Sequence, residues 1–113
     1  MKIYVTGLGV ISGIGIGVSE NIEALKQKRH GIGKVTLFPT ALDVPVSEVK
    51  CDNEKLKQLL SLSPLQTVSR TALLGMMAAK EALEDAGLPM QGTRNTPQQQ
   101  PLRIGFISAT SVG

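Results

Sequence analysis

The first seventeen residues constrain the fold of this chain more than any other stretch. A β-branched and aromatic run, Ile3–Thr6, directly precedes five glycines, at positions 7, 9, 13, 15 and 17. Such a run is typical of a strand buried on both faces. Glycines allow the backbone to turn sharply and to lie close against another surface. Because Ser19 can cap a helix after them, the order strand, glycine loop, helix predicts an α/β layer protein.

Length and composition predict a single hydrophobic core. The chain has 113 residues, of which 42% are hydrophobic, which is enough for one core and too few residues for two domains. Only 3% are aromatic, and the cations behind the net charge of +3 are scattered along the chain. Few side chains are therefore available to stack on bases, and we expect no nucleic-acid binding.

The cysteine count and the N-terminus indicate a reducing compartment, the cytoplasm. Cys51 is the only cysteine, so the chain can form neither an intramolecular disulfide nor a zinc site built from several cysteines. The glycines interrupt the apolar run after Lys2, so we predict no secretory signal. No apolar stretch approaches the ~20 residues that span a bilayer.

Helical periodicity and capping residues predict three helices. The first runs from Ser19 to Arg29, with a basic last turn before Gly31 as the stop. A brief second helix follows Asp52 as its N-cap. The third and longest covers 64–86, because Ser63, a proline and a glutamine form a capping box and Gly87 follows its end.

One face of the third helix carries small residues and predicts close packing. Small side chains recur along it at three- and four-residue spacing: Ala72, Gly75, Ala78, Ala79, Ala82 and Ala86. A face of this kind lets a helix approach a neighbour closely, so we expect this helix to be buried between layers.

Two further strands and a loop complete the predicted organisation. A short strand is possible at Val35–Phe38, although prolines on both sides argue against a long one. Residues 90–102 are polar and lack apolar periodicity, which predicts a flexible surface loop. After them, Ile104–Ser108 repeats the N-terminal pattern of an apolar strand that runs into small residues.

The glycine loop does not match a dinucleotide-binding fingerprint. Gly7, Gly9 and Gly13 have one residue too many between the second and third glycine. This spacing matters because the pyrophosphate has to meet the helix N-terminus as the loop closes. The acidic residue expected after a second strand is also missing. A nucleotide-binding oxidoreductase therefore stays a weaker alternative, and we expect no NAD(H) or NADP(H) binding.

No set of side chains in the sequence forms a catalytic or metal site. Cys51 lies in a charged, irregular stretch without a paired histidine, which favours an inert thiol over a nucleophile. His30, the only histidine, falls in a basic helix end and is predicted to be solvated. Glu81, Glu84 and Asp85 have the spacing of a solvated helix face with a nearby lysine. We therefore assign no catalytic, cofactor-binding or metal-ligating residue and expect no cofactor.

Three segments, in this order, resemble the start of a β-ketoacyl-acyl carrier protein synthase, a condensing enzyme of fatty-acid and polyketide synthesis. Val5–Gly15 is similar to the family's Val-Thr-Gly-Xaa-Gly-Val-Val-Ser-Pro-Xaa-Gly opening. Asn21–Ile32 resembles its segment of Ala-Leu, basic residues and Gly-Ile. Ala79–Leu88 followed by 103–113 resembles its Glu-Ala-Leu-Glu-Asp-Ala-Gly-Leu helix end and the next strand. The residues between these last two segments look like an insertion.

The resemblance implies an incomplete thiolase-like fold, the opening part of the N-terminal half of an α-β-α-β-α architecture. It implies decarboxylative Claisen condensation for a complete enzyme, in which an acyl-thioester on cysteine is attacked by a malonyl-derived carbanion. The family's catalytic cysteine, two histidines and lysine match no residue of this sequence. We therefore expect a truncated synthase domain over 1–113 that is inactive alone and that self-associates.

The resemblance also implies an acidic partner, the acyl carrier protein. Family members often carry basic residues just before the long helix, whereas this chain has the uncharged stretch 63–69 there. The nearest cations are Arg70 inside the helix and Lys55 and Lys57 upstream of it. A non-catalytic partner of the chain-length-factor type stays open as an alternative, because such partners share these N-terminal motifs.

Overall fold

Three helices and two very short antiparallel strand pairs make up the regular structure of the described part of the chain. The computed structural model describes residues 1–88 and 103–111. Its elements in chain order are β1 (Ile11–Ser12), β2 (Gly15–Ile16), α1 (Val18–Lys26), β3 (Ile32–Gly33), β4 (Val46–Ser47), α2 (Asn53–Leu59) and α3 (Arg70–Asp85). This is a small α/β arrangement, the predicted class. The loop predicted at 90–102 lies outside the described residues.

The core forms where α2 and α3 meet. Leu56 of α2 and Leu73 of α3 are fully buried, and Val49 and Cys51 complete the buried cluster. Partly buried residues pack around it, including two from the first hairpin: Ile11, Ile16, Leu60, Leu62, Val68, Leu74 and Met77. The core therefore contains aliphatic and sulfur-containing side chains, as the scarcity of aromatic residues requires.

Helix α1 begins one residue earlier than predicted and is capped differently. Its N-cap is Gly17, with a φ of 94° that suits glycine, so the prediction of Ser19 as the cap is wrong. The carboxylate of Glu20 instead reaches back to accept the backbone N–H of Ile16 at 2.8 Å. This contact resembles one half of a capping box.

Helix α3 begins at Arg70, six residues later than predicted. The Ser69 hydroxyl accepts the N–H of Ala72 at 3.2 Å and forms the N-cap, so the prediction of Ser63 as the cap is wrong. Ser63 instead closes a turn, because its carbonyl accepts the N–H of Gln66. The Arg70 guanidinium explains the later start: it donates to carbonyls of the preceding chain and fixes α3 at this point.

All three helices end in the same way. After each C-cap one residue adopts the left-handed conformation, with φ of 55° at Lys28, 56° at Ser61 and 67° at Gly87. Two backbone hydrogen bonds close each of these ends, in the pattern of a Schellman motif. The predicted stop at Gly87 is confirmed. The predicted stop at Gly31 is wrong, because Lys28 takes the left-handed position although it is not glycine.

The three predicted strands are not formed within the described residues. Ile3–Thr6, Val35–Phe38 and Ile104–Ser108 have no strand partner there, and most of their side chains are exposed. A β-branched composition favours extended backbone, but a strand also needs a neighbour for its N–H and C=O groups. The pairing that does occur joins β1 to β2, with Ile11 opposite Ile16, and β3 to β4, with Ile32 opposite Ser47.

Glu48 organises the segment that ends in β4. Its carboxylate accepts from the Lys50 ammonium at 2.7 Å, from the Thr36 N–H at 2.7 Å and from the Thr36 hydroxyl. Hydrogen bonds from Lys50 and Thr36 lower the pKa of Glu48 from 4.5 to about 2. A carboxyl group whose pKa is lower in the folded state stabilises the fold at pH values above its pKa in the unfolded state. This stabilisation is lost as the pH falls through its pKa in the folded state.

We therefore expect this segment to keep its contacts down to pH 4.5 and to lose them as the pH approaches 2. A carboxyl-carbon NMR titration of Glu48 checks this, with Lys50→Ala, which removes one of the hydrogen bonds that lower the pKa of Glu48, as the comparison. A midpoint near 4.5 for Glu48 would contradict the described contacts.

Candidate functional site

The glycine segment 7–17 lies directly on the backbone of α3. A Cβ added at Gly9 would stand 1.9 Å from the Ala78 carbonyl oxygen, and one added at Gly7 would stand 2.1 Å from that of Ala82. Only glycine allows so close an approach. Part of the small-residue face of α3 makes the predicted close contact. Ala78, Ala82 and Ala86 lie against the glycine segment, whereas Ala72, Gly75 and Ala79 are exposed.

Two carboxylates of α3 hold the glycine segment in place. Glu81 accepts the backbone N–H of Val10 at 2.9 Å with one oxygen and that of Val18 at 2.7 Å with the other. Asp85, one turn later, accepts the N–H of Leu8 at 3.0 Å. We call these two residues the carboxylate clamp. The prediction of a solvated face is wrong for Glu81, which is partly buried. Asp85 is exposed as predicted, although its carboxylate accepts a backbone N–H.

Glu84, the third acidic residue of this helix, behaves as predicted. It is exposed and lies 3.9 Å from the Lys80 ammonium, the loose ion pair of a solvated face. Glu84 lies three residues after Glu81 and so on a neighbouring position of the helix surface. Within the described residues, however, the N–H groups of the glycine segment are accepted by Glu81 and Asp85 and not by Glu84.

A buried asparagine closes the other side of the segment. The Asn21 amide nitrogen donates to the carbonyl oxygens of Gly15 and Gly17, both at 2.8 Å. Its side-chain oxygen accepts from the Ser12 hydroxyl. Asn21 thereby ties the first hairpin to the first turn of α1, and its burial makes hydrogen-bond partners for its own amide necessary.

A small cleft remains between the segment and α3. Its volume is about 160 Å³, and Val10, Ile11, Ile16, Gly17, Met77 and Glu81 line it. Sites for drug-sized ligands are usually at least ~300 Å³. A phosphate at this loop would meet the carboxylates of Glu81 and Glu20, which already accept the backbone amides that it needs. The geometry therefore argues against a dinucleotide site here.

The structure does not bring the two candidate catalytic residues together. Cys51 is buried in the core, and this burial, assisted by the negative charge of Asp52, raises the pKa of its thiol. His30 is exposed beyond the end of α1 and has no place in that core. A buried thiol with a raised pKa forms little thiolate at neutral pH, which agrees with the interpretation of Cys51 as inert.

The described part of the chain contains neither a cluster of metal-binding side chains nor a membrane-spanning helix. Across residues 1–88 and 103–111, no group of three His, Cys, Asp or Glu side chains is placed to hold a metal ion. No helix in these ranges is long and apolar enough to cross a membrane.

Comparison with known proteins decides the family. A family model described as the N-terminal domain of beta-ketoacyl synthase matches residues 1–113. The chain belongs to the beta-ketoacyl synthase family. This confirms the resemblance of the glycine segment and of the end of α3 to the condensing enzymes.

The synthases that this chain resembles include polyketide beta-ketoacyl synthases and 3-oxoacyl-[acyl-carrier-protein] synthases. It is 28% identical over 112 residues to the putative polyketide beta-ketoacyl synthase 1 of Streptomyces halstedii, covering 99% of this chain and 25% of that protein. It is 27% identical over 114 residues to the 3-oxoacyl-[acyl-carrier-protein] synthase 1 of Escherichia coli K12, covering 99% of this chain and 26% of the other. The chain thus spans about a quarter of the length of these synthases. No solved structure matches it.

The clamp is what reasoning from the sequence missed. Glu81 and Asp85 are four residues apart, and they flank Ala82, the centre of the small-residue face. An acidic pair next to a helix face that packs closely indicates that the segment packed on this face has backbone N–H groups for the carboxylates to accept. Ordinary helix periodicity assigns such a pair to solvent.

Proposed function

We propose that this chain is the N-terminal part of a 3-oxoacyl-acyl carrier protein synthase of the cytoplasm. The complete enzyme would condense an acyl-thioester with malonyl-acyl carrier protein in fatty-acid or polyketide synthesis, on a thiolase-like fold. The observation that carries the proposal is the family match over the whole chain. Relatives named as a polyketide beta-ketoacyl synthase and as a 3-oxoacyl-[acyl-carrier-protein] synthase support an acyltransferase of this kind without selecting the acyl chain.

Within that enzyme we assign these 113 residues a structural role. The carboxylate clamp and Asn21 satisfy the backbone of the glycine segment, and the only cysteine is part of the core. The chain contributes a fixed framework of glycine segment, α1 and α3, against which the catalytic groups of a complete synthase would be positioned.

We predict that the chain alone does not form an acyl-enzyme. Because Cys51 is buried and its thiol pKa is raised, incubation with an acyl-acyl carrier protein thioester should leave the mass of the chain unchanged. Intact-mass spectrometry checks this, and the Escherichia coli synthase 1 run in parallel shows that the thioester is competent. A stoichiometric adduct that disappears in Cys51→Ser would contradict the proposal.

We further propose that the chain self-associates through its unpaired extended segments. Ile3 is 84% exposed and Ile107 is 98% exposed, in runs whose composition favours strands. The radius of gyration, 17.1 Å, also exceeds the ~13 Å of a compact chain of this length. Exposed apolar segments with free N–H and C=O groups favour pairing with another chain.

Light scattering at micromolar concentration should therefore show dimers or larger species. Phe106→Lys, in one extended segment, should shift the population towards monomer. Leu65→Lys, at an equally exposed apolar position outside these segments, should not. A wild-type monomer that unfolds cooperatively would show that self-association is absent.

A further inference from the structure

We propose that this chain docks on anionic lipid surfaces through two features that are neighbours in the chain. The first is the stretch 34–45 between β3 and β4, which we call the β3–β4 loop. The second consists of Lys26, Lys28 and Arg29, which we call the α1 basic end. The proposal goes beyond the proposed function and does not depend on it.

The β3–β4 loop exposes large apolar side chains. Phe38 is 62% exposed and Leu42 is 72% exposed. Both ends of the loop are fixed, because β3 pairs with β4 and the Thr36 N–H donates to Glu48 at 2.7 Å. The apolar side chains are therefore held at the surface and not in the core. Exposed apolar side chains gathered in one segment indicate an interaction site, on a protein or on a membrane.

The β3–β4 loop carries no net charge. Lys34 and Asp43 are its only charged residues, and the Lys34 ammonium lies 3.5 Å from an Asp43 oxygen. This exposed pair adds little to stability, but it leaves the loop neutral. The loop can therefore approach a negatively charged surface without repulsion from a negative charge of its own.

The α1 basic end supplies positive charge next to this loop. Arg29 precedes Lys34 by five residues, so their Cα atoms are roughly 18 Å apart at most. Within residues 1–88 and 103–111, no ion pair joins the three cations of the α1 basic end to a carboxylate. Leu25, in the last turn of α1, is 67% exposed. Free cations and exposed apolar side chains thus occur together on this part of the chain.

Other cations of the helices are used inside the chain. Arg70, Lys57 and Lys80 each donate to a backbone carbonyl oxygen, at 3.0, 3.1 and 2.9 Å. Breaking such contacts would cost a binding partner part of the energy that it gains. The α1 basic end has no comparable contacts to lose.

An anionic lipid surface offers both complements at once. Its headgroups attract lysine and arginine, and the region just below them accepts Phe and Leu side chains. Stable membrane binding usually needs two such signals, because one alone gives only marginal affinity. The β3–β4 loop has no regular structure, and a fluid surface does not require the fixed shape that a protein interface does.

Two other partners fit this combination less well. A nucleic acid would attract the α1 basic end, but Leu25 and Leu42 offer it no aromatic face on which to stack its bases. A symmetric contact with a second copy of the chain would bring two sets of unpaired cations close together and would be opposed by their repulsion.

Vesicle flotation tests the proposal on the full chain. The chain should float with vesicles that contain phosphatidylglycerol and not with vesicles of phosphatidylcholine alone. Binding should weaken as the salt concentration rises, because the charges involved are exposed. This comparison of lipids and salts uses the wild-type chain only, so it does not depend on the folding of a variant.

A matched pair of charge variants locates the electrostatic contact. K28E/R29E should weaken binding to the phosphatidylglycerol vesicles by about tenfold or more, since each cation near such a surface contributes about fivefold. The control K2E/K55E changes the net charge equally at two exposed lysines outside the α1 basic end and should bind as the wild type does.

A matched pair of leucine variants locates the apolar contact. Leu42→Ser, in the β3–β4 loop, should weaken binding by about fivefold or more. Leu65→Ser removes an equally exposed leucine outside the loop and should leave the binding unchanged. Circular dichroism of all four variants checks that each is folded.

Equal binding to both kinds of vesicle, or binding to neither, would overturn the proposal. Equal effects of the two charge variants, or of the two leucine variants, would also overturn it. Preferential binding of duplex DNA or of an acidic protein would assign the α1 basic end to that partner instead. None of these outcomes bears on the proposed synthase role, which the intact-mass experiment tests without lipid.

Discussion

Gly9→Ala is expected to destabilise the chain by about 3 kcal/mol or more. The added methyl carbon would stand 1.9 Å from the Ala78 carbonyl oxygen and 2.8 Å from the Ala82 backbone nitrogen. Both atoms belong to the backbone of α3, so no side-chain rotation can relieve the overlap. The glycine segment would have to move off the helix, and its hydrogen bonds to the carboxylate clamp would be lost with it.

Urea unfolding followed by circular dichroism measures this effect. Gly75→Ala is the matched control, because it lies in α3 and a Cβ there would meet no atom within 4 Å. That substitution should stabilise the chain by up to about 1 kcal/mol, since alanine favours a helix over glycine. If Gly9→Ala proved as stable as the wild type, the glycine segment could not lie on α3 as described.

Glu81→Ala should cost about 2–4 kcal/mol. Glu81 is the single acceptor shown for the N–H groups of Val10 and Val18, and its charge strengthens both hydrogen bonds. Without the Glu81 carboxylate, the partly buried N–H groups of Val10, just before β1, and of Val18, at the start of α1, lose their acceptor. The replacement Glu81→Gln keeps one carbonyl oxygen and should recover part of the loss.

Hydrogen exchange separates this role from a general loss of stability. The amides of Val10 and Val18 should exchange faster in Glu81→Ala than the amides in the middle of α2. Glu84→Ala removes an exposed carboxylate of the same helix and should change the stability by less than about 0.5 kcal/mol. Unchanged exchange at Val10 and Val18 would show that the clamp is not formed in solution.

Local signals in the sequence predicted the helices well. Asp52 caps α2 as expected, accepting the N–H of Lys55 at 2.7 Å, and Gly87 ends α3. These features depend on a few adjacent residues. The sequence predicts too early a start for α3, because Ser63 and Ser69 both precede possible helices. The choice between the two serines depends on the contacts of Arg70 with distant carbonyl groups.

The strands and the clamp could not be predicted for a related reason. Ile3–Thr6 has a composition suited to a strand, but pairing requires a second strand that the described residues do not supply. The role of Glu81 depends on residues 63 and 71 positions away along the chain. Periodicity within a helix shows which residues share a face, but it does not show that a backbone will lie on that face.

The carboxylate clamp also has a consequence for synthesis on the ribosome. The first turn of α1 and the segment before it are made early, but their acceptors, Glu81 and Asp85, are up to 77 residues further along. Until α3 has been made, the N–H groups of Leu8, Val10 and Val18 lack these acceptors. The glycine segment therefore cannot complete its hydrogen bonds during synthesis before the last turn of α3 is present, so its folding is late although its residues are made early.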